Sequence, residues 1–536
     1  MGNLPRRAPS GRGVSALLAD FGHHATSREP TVPAVVDPHN DARVAGRRGA
    51  RQTAAGWTAV PAPLAAFRMT SEQVGGVWPL IPAEGLPPTG ALVGIDWLSG
   101  GAFYCDPIGW TLHNTAGVTN PNMMIFGAPG RGKSSAVKTI ALRLMAYGYR
   151  TLILGDVKDE YEGLCRALGV TPHAVGPGLP ARINPLDFGP LGRDWTQLGR
   201  EEAARRAAIV FARWLQLLRG LVGSQKVPFG PTAESAVGQV LRDLTGYTAG
   251  ATALTEITIP QVWRALCDPT PQLVTGCRYR SRQHFLDDTR GVRDALGALV
   301  HGHLGGLFDA PTTVKVDWRA PIQSLSLSRL EPLGDEAVGI ALMALNSWGR
   351  AMTDVPHLSG HQLSGQVDLR VVVRDEAWKQ MRLGEQAVAS LDADLRLSRR
   401  DGAIQIVVAH KPSDMLTVGD AGSAAVAIAK ELLHLCSTKV LLGQDEAIGD
   451  ELSGLLGLTP MAAGIVTGWA TGGRGRALWV VGSRQFQVSG ILTATEAALT
   501  DTNNAITPTT NSPTLATSAA TSAAAPVPLP TDPASR

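Results

Sequence analysis

The chain has 536 residues, 44% of them hydrophobic, with Lys+Arg 49 against Asp+Glu 46 and a formal net charge of +3; the length allows roughly two to four structural units, and so even a balance excludes a nucleic-acid-coating protein held by bulk charge. The cysteines, Cys105, Cys165, Cys267, Cys277 and Cys436, are scattered, odd in number and lack CxxC spacing, so neither a disulfide framework nor a zinc site is indicated and a reducing cytoplasm fits best. No run of about 18 apolar residues marks a membrane span, so any membrane association is expected to be peripheral.

Residues 1–60, with RRAPSGRG and RVAGRRGARQ, are rich in Arg, Gly, Pro and Ala and lack periodicity; they read as a disordered leader. Its arginines suit either a plain solvated segment or a tether to DNA or anionic lipid. Within 61–117, GALVGIDWLSGGAFYCDPIGW reads as two short strands joined by Ser-Gly-Gly, a small β lead-in. Residues 118–194 form the first part of an α/β core. Residues 195–308 switch to helical periods, as in REEAARRAAIVFARWLQLLRGL, and are expected to be an all-helical insertion. The second part of the core, 309–502, brings strand-like runs (SLSLSRL, LRVVVRDEAW, AIQIVVAHK, STKVLLG, GRALWVVG) alternating with helices, which predicts a parallel sheet covered on both faces. Residues 503–536, Thr/Ala/Pro-rich, read as a flexible tail.

The core opens on NMMIF, a strand, followed by Gly127-Ala128-Pro129-Gly130-Arg131-Gly132-Lys133-Ser134 and the helical run SSAVKTIALRLM. Strand, GxxxxGK[ST] and helix in that order make a P-loop. Its glycines let backbone N–H groups converge on phosphate, Lys133 reaches the β- and γ-oxygens of ATP, and Ser134 offers a hydroxyl to Mg2+. Arg131 and Ser135 shape the loop. The acidic partner comes from LRVVVRDEAW, where Asp375 would hold the Mg2+ shell and Glu376 would orient the attacking water; Arg374, just before them, is expected to snorkel outward.

One strand later His410 ends AIQIVVAH, at the edge where open α/β sheets bind ligands. It reads as a sensor of the γ-phosphate or the lytic water, with an ordinary loop histidine as the alternative. The earlier LILGDVKDEY brings Asp156, Lys158, Asp159 and Glu160 towards that edge or leaves them in a solvated loop.

A metabolite kinase does not fit the long insertion between Lys133 and Asp375. A transporter ATPase does not fit either, because LSGG at 98–101 and LSGLLG at 452–457 lie outside the interval between P-loop and acids. A GTPase lacks its NKxD element. There remains a ring motor in which ATP sits between subunits and a neighbour supplies an arginine. Arg399 and Arg400, before the His410 strand, are the preferred donors; Arg474 and Arg476 are the second pair.

Taken together, GIDWLSGGAFYCDP, TNPNMMIFGAPGRGKS, LILGDVKDEYEGLC, RINPLDF, SLSLSRL, VVVRDEAWKQM, SRRDGAIQIVVAHKPSDM and GRALWVVGSRQFQV resemble the TraC-like ATPases of type IV secretion and conjugation, within the FtsK–HerA superfamily. The resemblance runs over residues 90–490. It implies a RecA-like, Mg2+-dependent ATPase that assembles as a homo-hexamer at the cytoplasmic face of a membrane-embedded channel and energises its assembly or the passage of substrate. It also implies that Lys133 and Ser134 bind phosphate and Mg2+, that Asp375 and Glu376 are the acidic pair, and that Arg399 or Arg400 matches the basic turn before the sensor strand. Ala409-His410 stands where such proteins commonly carry Thr-Gln, and full-length members have a larger N-terminal domain than the stretch before residue 118. The alternative is a hexameric FtsK/HerA-type translocase that pumps DNA, for which the GCRYRSRQ cluster at 276–283 supplies sparse basic residues.

Overall fold

The computed structural model describes residues 85–192, 195–302, 304–315, 317, 319–353, 369–419 and 423–500. The expected leader (1–60), the start of the expected lead-in (61–84) and the expected tail (503–536) lie outside the described residues.

The described strands are β1 (Ala91–Asp96), β2 (Ala102–Cys105), β3 (Met123–Phe126), β4 (Arg150–Asp156), β5 (His173–Ala174), β6 (Ile322–Ser326), β7 (Arg370–Arg374), β8 (Ala403–Ala409), β9 (Thr438–Leu442), β10 (Arg476–Val481) and β11 (Arg484–Gly490). They form one sheet in the order β2-β1-β11-β10-β9-β3-β8-β7-β4-β6-β5. From β9 to β5 every pairing is parallel, whereas β10, β11, β1 and β2 add on antiparallel. The two strands before the P-loop therefore extend the main sheet through β11.

The parallel strands are near-continuous apolar runs because both faces are covered. Alternation divides them cleanly: Met123 and Ile125 of β3, Val371 and Val373 of β7, and Ile404, Ile406 and Val408 of β8 join one buried cluster. Met124, Phe126, Val407 and Ala409 join the cluster on the opposite face. The first face is closed by the helix Lys133–Met145, through Val137, Ile140 and Leu144. Each such aliphatic side chain, fully buried, contributes about 1.5–3 kcal/mol.

Between β5 and β6 the described chain is helical: Arg200–Gly223, Pro231–Thr245, Ile259–Cys267, Pro271–Gly276, Arg282–Asp288 and Arg290–His301. Helix starts are marked locally; Thr258 and Gln261 form a capping box and Ser281 accepts from the N–H of His284. Trp214, fully buried on the longest of these helices, shares a core with Trp348 of the helix Asp335–Thr353, and so ties the insertion to the sheet.

Candidate nucleotide site

β3 ends at Phe126, and the loop that follows is fixed by backbone bonds from both neighbouring strands: the N–H of Gly127 donates to the His410 carbonyl after β8 (3.0 Å), and that of Ala128 to the Gly443 carbonyl after β9 (3.1 Å). Two glycines are required here for different reasons. Gly132 has φ 99, a conformation side chains rarely adopt, and a Cβ on Gly127 would meet Leu442 Cβ at 2.8 Å. The loop then enters the helix Lys133–Met145, whose first turn presents Ser134 and Ser135, both half-buried; Pro129 and Gly130 are exposed at its tip.

Lys133 folds back over the loop. Its ammonium donates to the carbonyls of Gly127 (2.7 Å) and Ala128 (3.4 Å) and lies 3.1 Å from His410 Nδ1. Burial lowers its pKa, against the upward pull of Asp375 and Glu376. His410 is also held below its ordinary value, by burial and by the Lys133 charge, so it is neutral at pH 7. In that form one ring nitrogen accepts and the other donates.

β7 delivers the acids. Asp375 Oδ2 accepts the Tyr161 hydroxyl (3.1 Å) and Oδ1 the N–H of Glu376 (2.9 Å). Burial and then the neighbouring Glu160 and Glu376 charges push the Asp375 carboxyl up to about 7. Glu376 is buried and left-handed, with φ 51. Its Oε1 receives the Lys158 ammonium at 2.7 Å, its Oε2 the Trp378 indole N–H at 2.5 Å, and His410 Nε2 lies 3.8 Å away. Burial alone would raise this carboxyl, but the Lys158 bond and charge outweigh it and hold it below its ordinary value.

The segment after β4 is no solvated loop. Asp156 is 2% exposed, and its two carboxylate oxygens accept the N–H groups of Glu160 and Tyr161, each at 2.9 Å. Burial raises this carboxyl to about 6. The turn so fixed carries Lys158 and Tyr161 to the acids. Arg374 does not snorkel outward: it is 4% exposed, with Nε on Gln405 (3.0 Å) and Nη2 on Asp394 (2.9 Å).

Lys133, Ser134, Asp375, Glu376 and His410 thus gather at the C-terminal ends of the adjacent strands β3, β8 and β7. Arg399 and Arg400 do not join them. Both are exposed before the start of β8, Arg400 on Asp401 (2.8 Å), so the length of that strand, seven residues at about 3.3 Å each, separates them from their own P-loop. Arg476 lies against the Trp97–Trp469 pair, its guanidinium carbon 5.6 and 5.3 Å from the ring centroids. Exposed Arg474 lies on the segment that flanks the P-loop, where the Gly475 N–H donates to the Arg131 carbonyl (3.2 Å) and Arg131 Nη1 to the Thr471 carbonyl (2.8 Å).

Sequence reasoning passed over Tyr161, Trp378 and Gln444, whose Nε2 donates to the His410 carbonyl at 2.7 Å. Trp378 carried a signal, an aromatic N–H donor two residues after the candidate base. Gln444 carried none.

Donor chemistry fits Mg2+ as a guest of nucleotide. The hydroxyl of Ser134 and the carboxylate of Asp375 are hard oxygen donors, and among the described residues no group of three or more His, Cys, Asp or Glu forms a metal cage. An ion held by one or two protein oxygens, with phosphate and water supplying the rest, is the usual Mg2+ arrangement.

Solved structures resemble the chain to different degrees. VirB4 of Thermoanaerobacter pseudethanolicus matches with a TM-score of 0.58 and 19% identity, over 77% of this chain and 100% of that one. The bacterial conjugative coupling protein TrwBdeltaN70 matches in its unbound monoclinic form with a TM-score of 0.48, at 14% identity over 79% of this chain and 94% of that one. The plasmid coupling protein TrwB in complex with ADP and Mg2+ matches with 0.44, at 14% identity over 78% and 93%. No protein-family model and no curated protein matches the chain. The likeness to VirB4 shows the α/β architecture with its mostly parallel sheet.

Proposed function

We propose that the chain is an Mg2+-dependent P-loop ATPase that works as a ring motor, a homo-hexamer energising a type IV secretion or conjugative transfer channel from the cytoplasmic face of the cell membrane. The observation that carries the ATPase reading is the convergence of Lys133, Ser134, Asp375, Glu376 and His410 on one edge of three neighbouring parallel strands. The channel role rests on the motif order and on the fold shared with VirB4.

In this reading the loop from Gly127 to Ser135 wraps the phosphates with its N–H groups and the positive end of the helix. Lys133 leaves the carbonyls of Gly127 and Ala128 for the β- and γ-oxygens. Ser134 and Asp375 would hold Mg2+, which would supply positive charge against the phosphates. Glu376 orients and polarises the water, and His410, neutral and touching Lys133, reports the γ-phosphate. Arg399 or Arg400 completes a neighbour's site, since neither reaches its own. No described helix is long and apolar enough to cross a membrane, in keeping with contact through channel partners.

The test is steady-state ATP hydrolysis with Glu376→Gln as blank, with and without single- and double-stranded DNA at two salt concentrations. Activity above the blank and indifferent to DNA supports the channel energiser. Strong, salt-sensitive stimulation would replace it with the DNA-pumping translocase. Turnover unchanged in both Arg399→Ala and Arg400→Ala would remove the trans-arginine assignment.

A further inference from the structure

We propose that Lys158 is a further γ-phosphate-binding residue, which Glu376 holds until a triphosphate draws it away, so that the base is released only when there is a bond to hydrolyse. The inference rests on the nucleotide reading above and adds a residue to it.

Four observations carry it. The turn that bears Lys158 is fixed in place: Asp156 accepts the N–H groups of Glu160 and Tyr161, its own carbonyl accepts the N–H of Leu327 (2.8 Å), and Tyr161 reaches across to Asp375. Lys158 is thereby held to the acidic strand. Second, its ammonium stands 2.7 Å from Glu376 Oε1, and Asp375, Glu376 and Glu160 pull on it as they do on Lys133. The two ammonium groups face one set of acids. Third, both oxygens of Glu376 are engaged, one by Lys158 and one by Trp378, so the carboxylate cannot turn freely to water.

The fourth observation sets the direction of exchange. The Lys158 side chain is 43% exposed and that of Glu376 10%. A flexible, half-solvated lysine moves at little desolvation cost, whereas a buried carboxylate on a left-handed backbone does not. Triphosphate oxygens are the stronger attractor, because a terminal phosphate carries more negative charge than the single charge of a carboxylate. A diphosphate, one group shorter, leaves Lys158 on Glu376.

The experiment is equilibrium binding of the Mg2+ complexes of ADP and of a non-hydrolysable ATP analogue to the full chain, by calorimetry, for wild type, Lys158→Met, Glu376→Gln and the double variant. Lys158→Met is expected to weaken the triphosphate by about tenfold and leave ADP unchanged, with Lys158→Arg retaining most of the preference. Glu376→Gln, by releasing Lys158, tightens the triphosphate several-fold, and this gain vanishes in the double variant. A gain that persists without Lys158 would trace to lost carboxylate–phosphate repulsion and overturn the proposal, as would a Lys158→Met effect equal for both nucleotides or absent. Failure of the wild type to bind either nucleotide is a separate result, and it would sink the nucleotide reading itself.

Discussion

Arg374 and Glu376 are two residues apart, yet they belong to opposite kinds of charged cluster. Arg374 points into the body of the protein, where it donates to Asp394 (2.9 Å) and Gln405 (3.0 Å) while Arg350 donates to the other oxygen of Asp394 (3.0 Å); Arg374 and Asp394 are about equally buried, at 5% and 6% side-chain exposure. Glu376 faces the sheet edge, and its charged partner is exposed and long enough to leave. A network closed on itself among buried partners holds shape. A buried group paired with a mobile one is arranged for exchange.

That contrast can be broken from either side. Asp394→Ala strands the Arg374 guanidinium, and loss of one member of such a buried pair is expected to destabilise the fold by about 3 kcal/mol. Urea denaturation should show it even where residual ATPase per folded molecule is unchanged. Lys133→Ala should do the reverse, lowering turnover by about 100-fold or more while the urea midpoint stays put; a matching loss of stability would mean that Lys133 serves the loop rather than phosphate.

Asp375 sharpens the comparison through pH. Its folded-state pKa is raised to about 7 from an ordinary 3.8, with burial as the leading cause, so the folded protein keeps a proton that the unfolded chain has lost. This contribution is fully present below about pH 4 and is lost as pH rises towards 7. The melting temperature of Asp375→Asn, measured in EDTA, should therefore match wild type near pH 4, exceed it increasingly up to pH 7 and keep a constant lead above that; a lead independent of pH would refute the burial account. The smallest effect belongs to the surface: Arg396 and Glu431 are paired at 2.7 Å but are 46% and 61% exposed, so Glu431→Gln should shift stability by less than about 0.5 kcal/mol.

The P-loop and the Asp375–Glu376 pair were legible in sequence because each is contiguous, with its strand and helix context alongside. The parallel sheet was legible for a similar reason: Val371-Val372-Val373 and Ile406 to Ala409 are apolar without alternation, as doubly covered strands must be. Strand order was not, since nothing local in β10 says that it pairs antiparallel with β9 while β3 pairs parallel on the other side. The fate of Arg374 depends on Asp394 and Gln405, and that of Lys158 on Glu376, over 200 residues along the chain. Burial and partnership are properties of the assembled chain, so a lysine in a turn and an arginine at a strand end look alike until the fold gives each its neighbours.

Glu376 sits where the backbone favours glycine. Holding a side chain there costs about 1 kcal/mol relative to an unstrained site, a cost that the bonds to Lys158 and Trp378 offset. Glu376→Gly would relieve the strain and forfeit both bonds, so it should hydrolyse nothing and melt no higher than wild type. The same side chain thus secures its own awkward backbone and supplies the base, and neither role can be removed without the other.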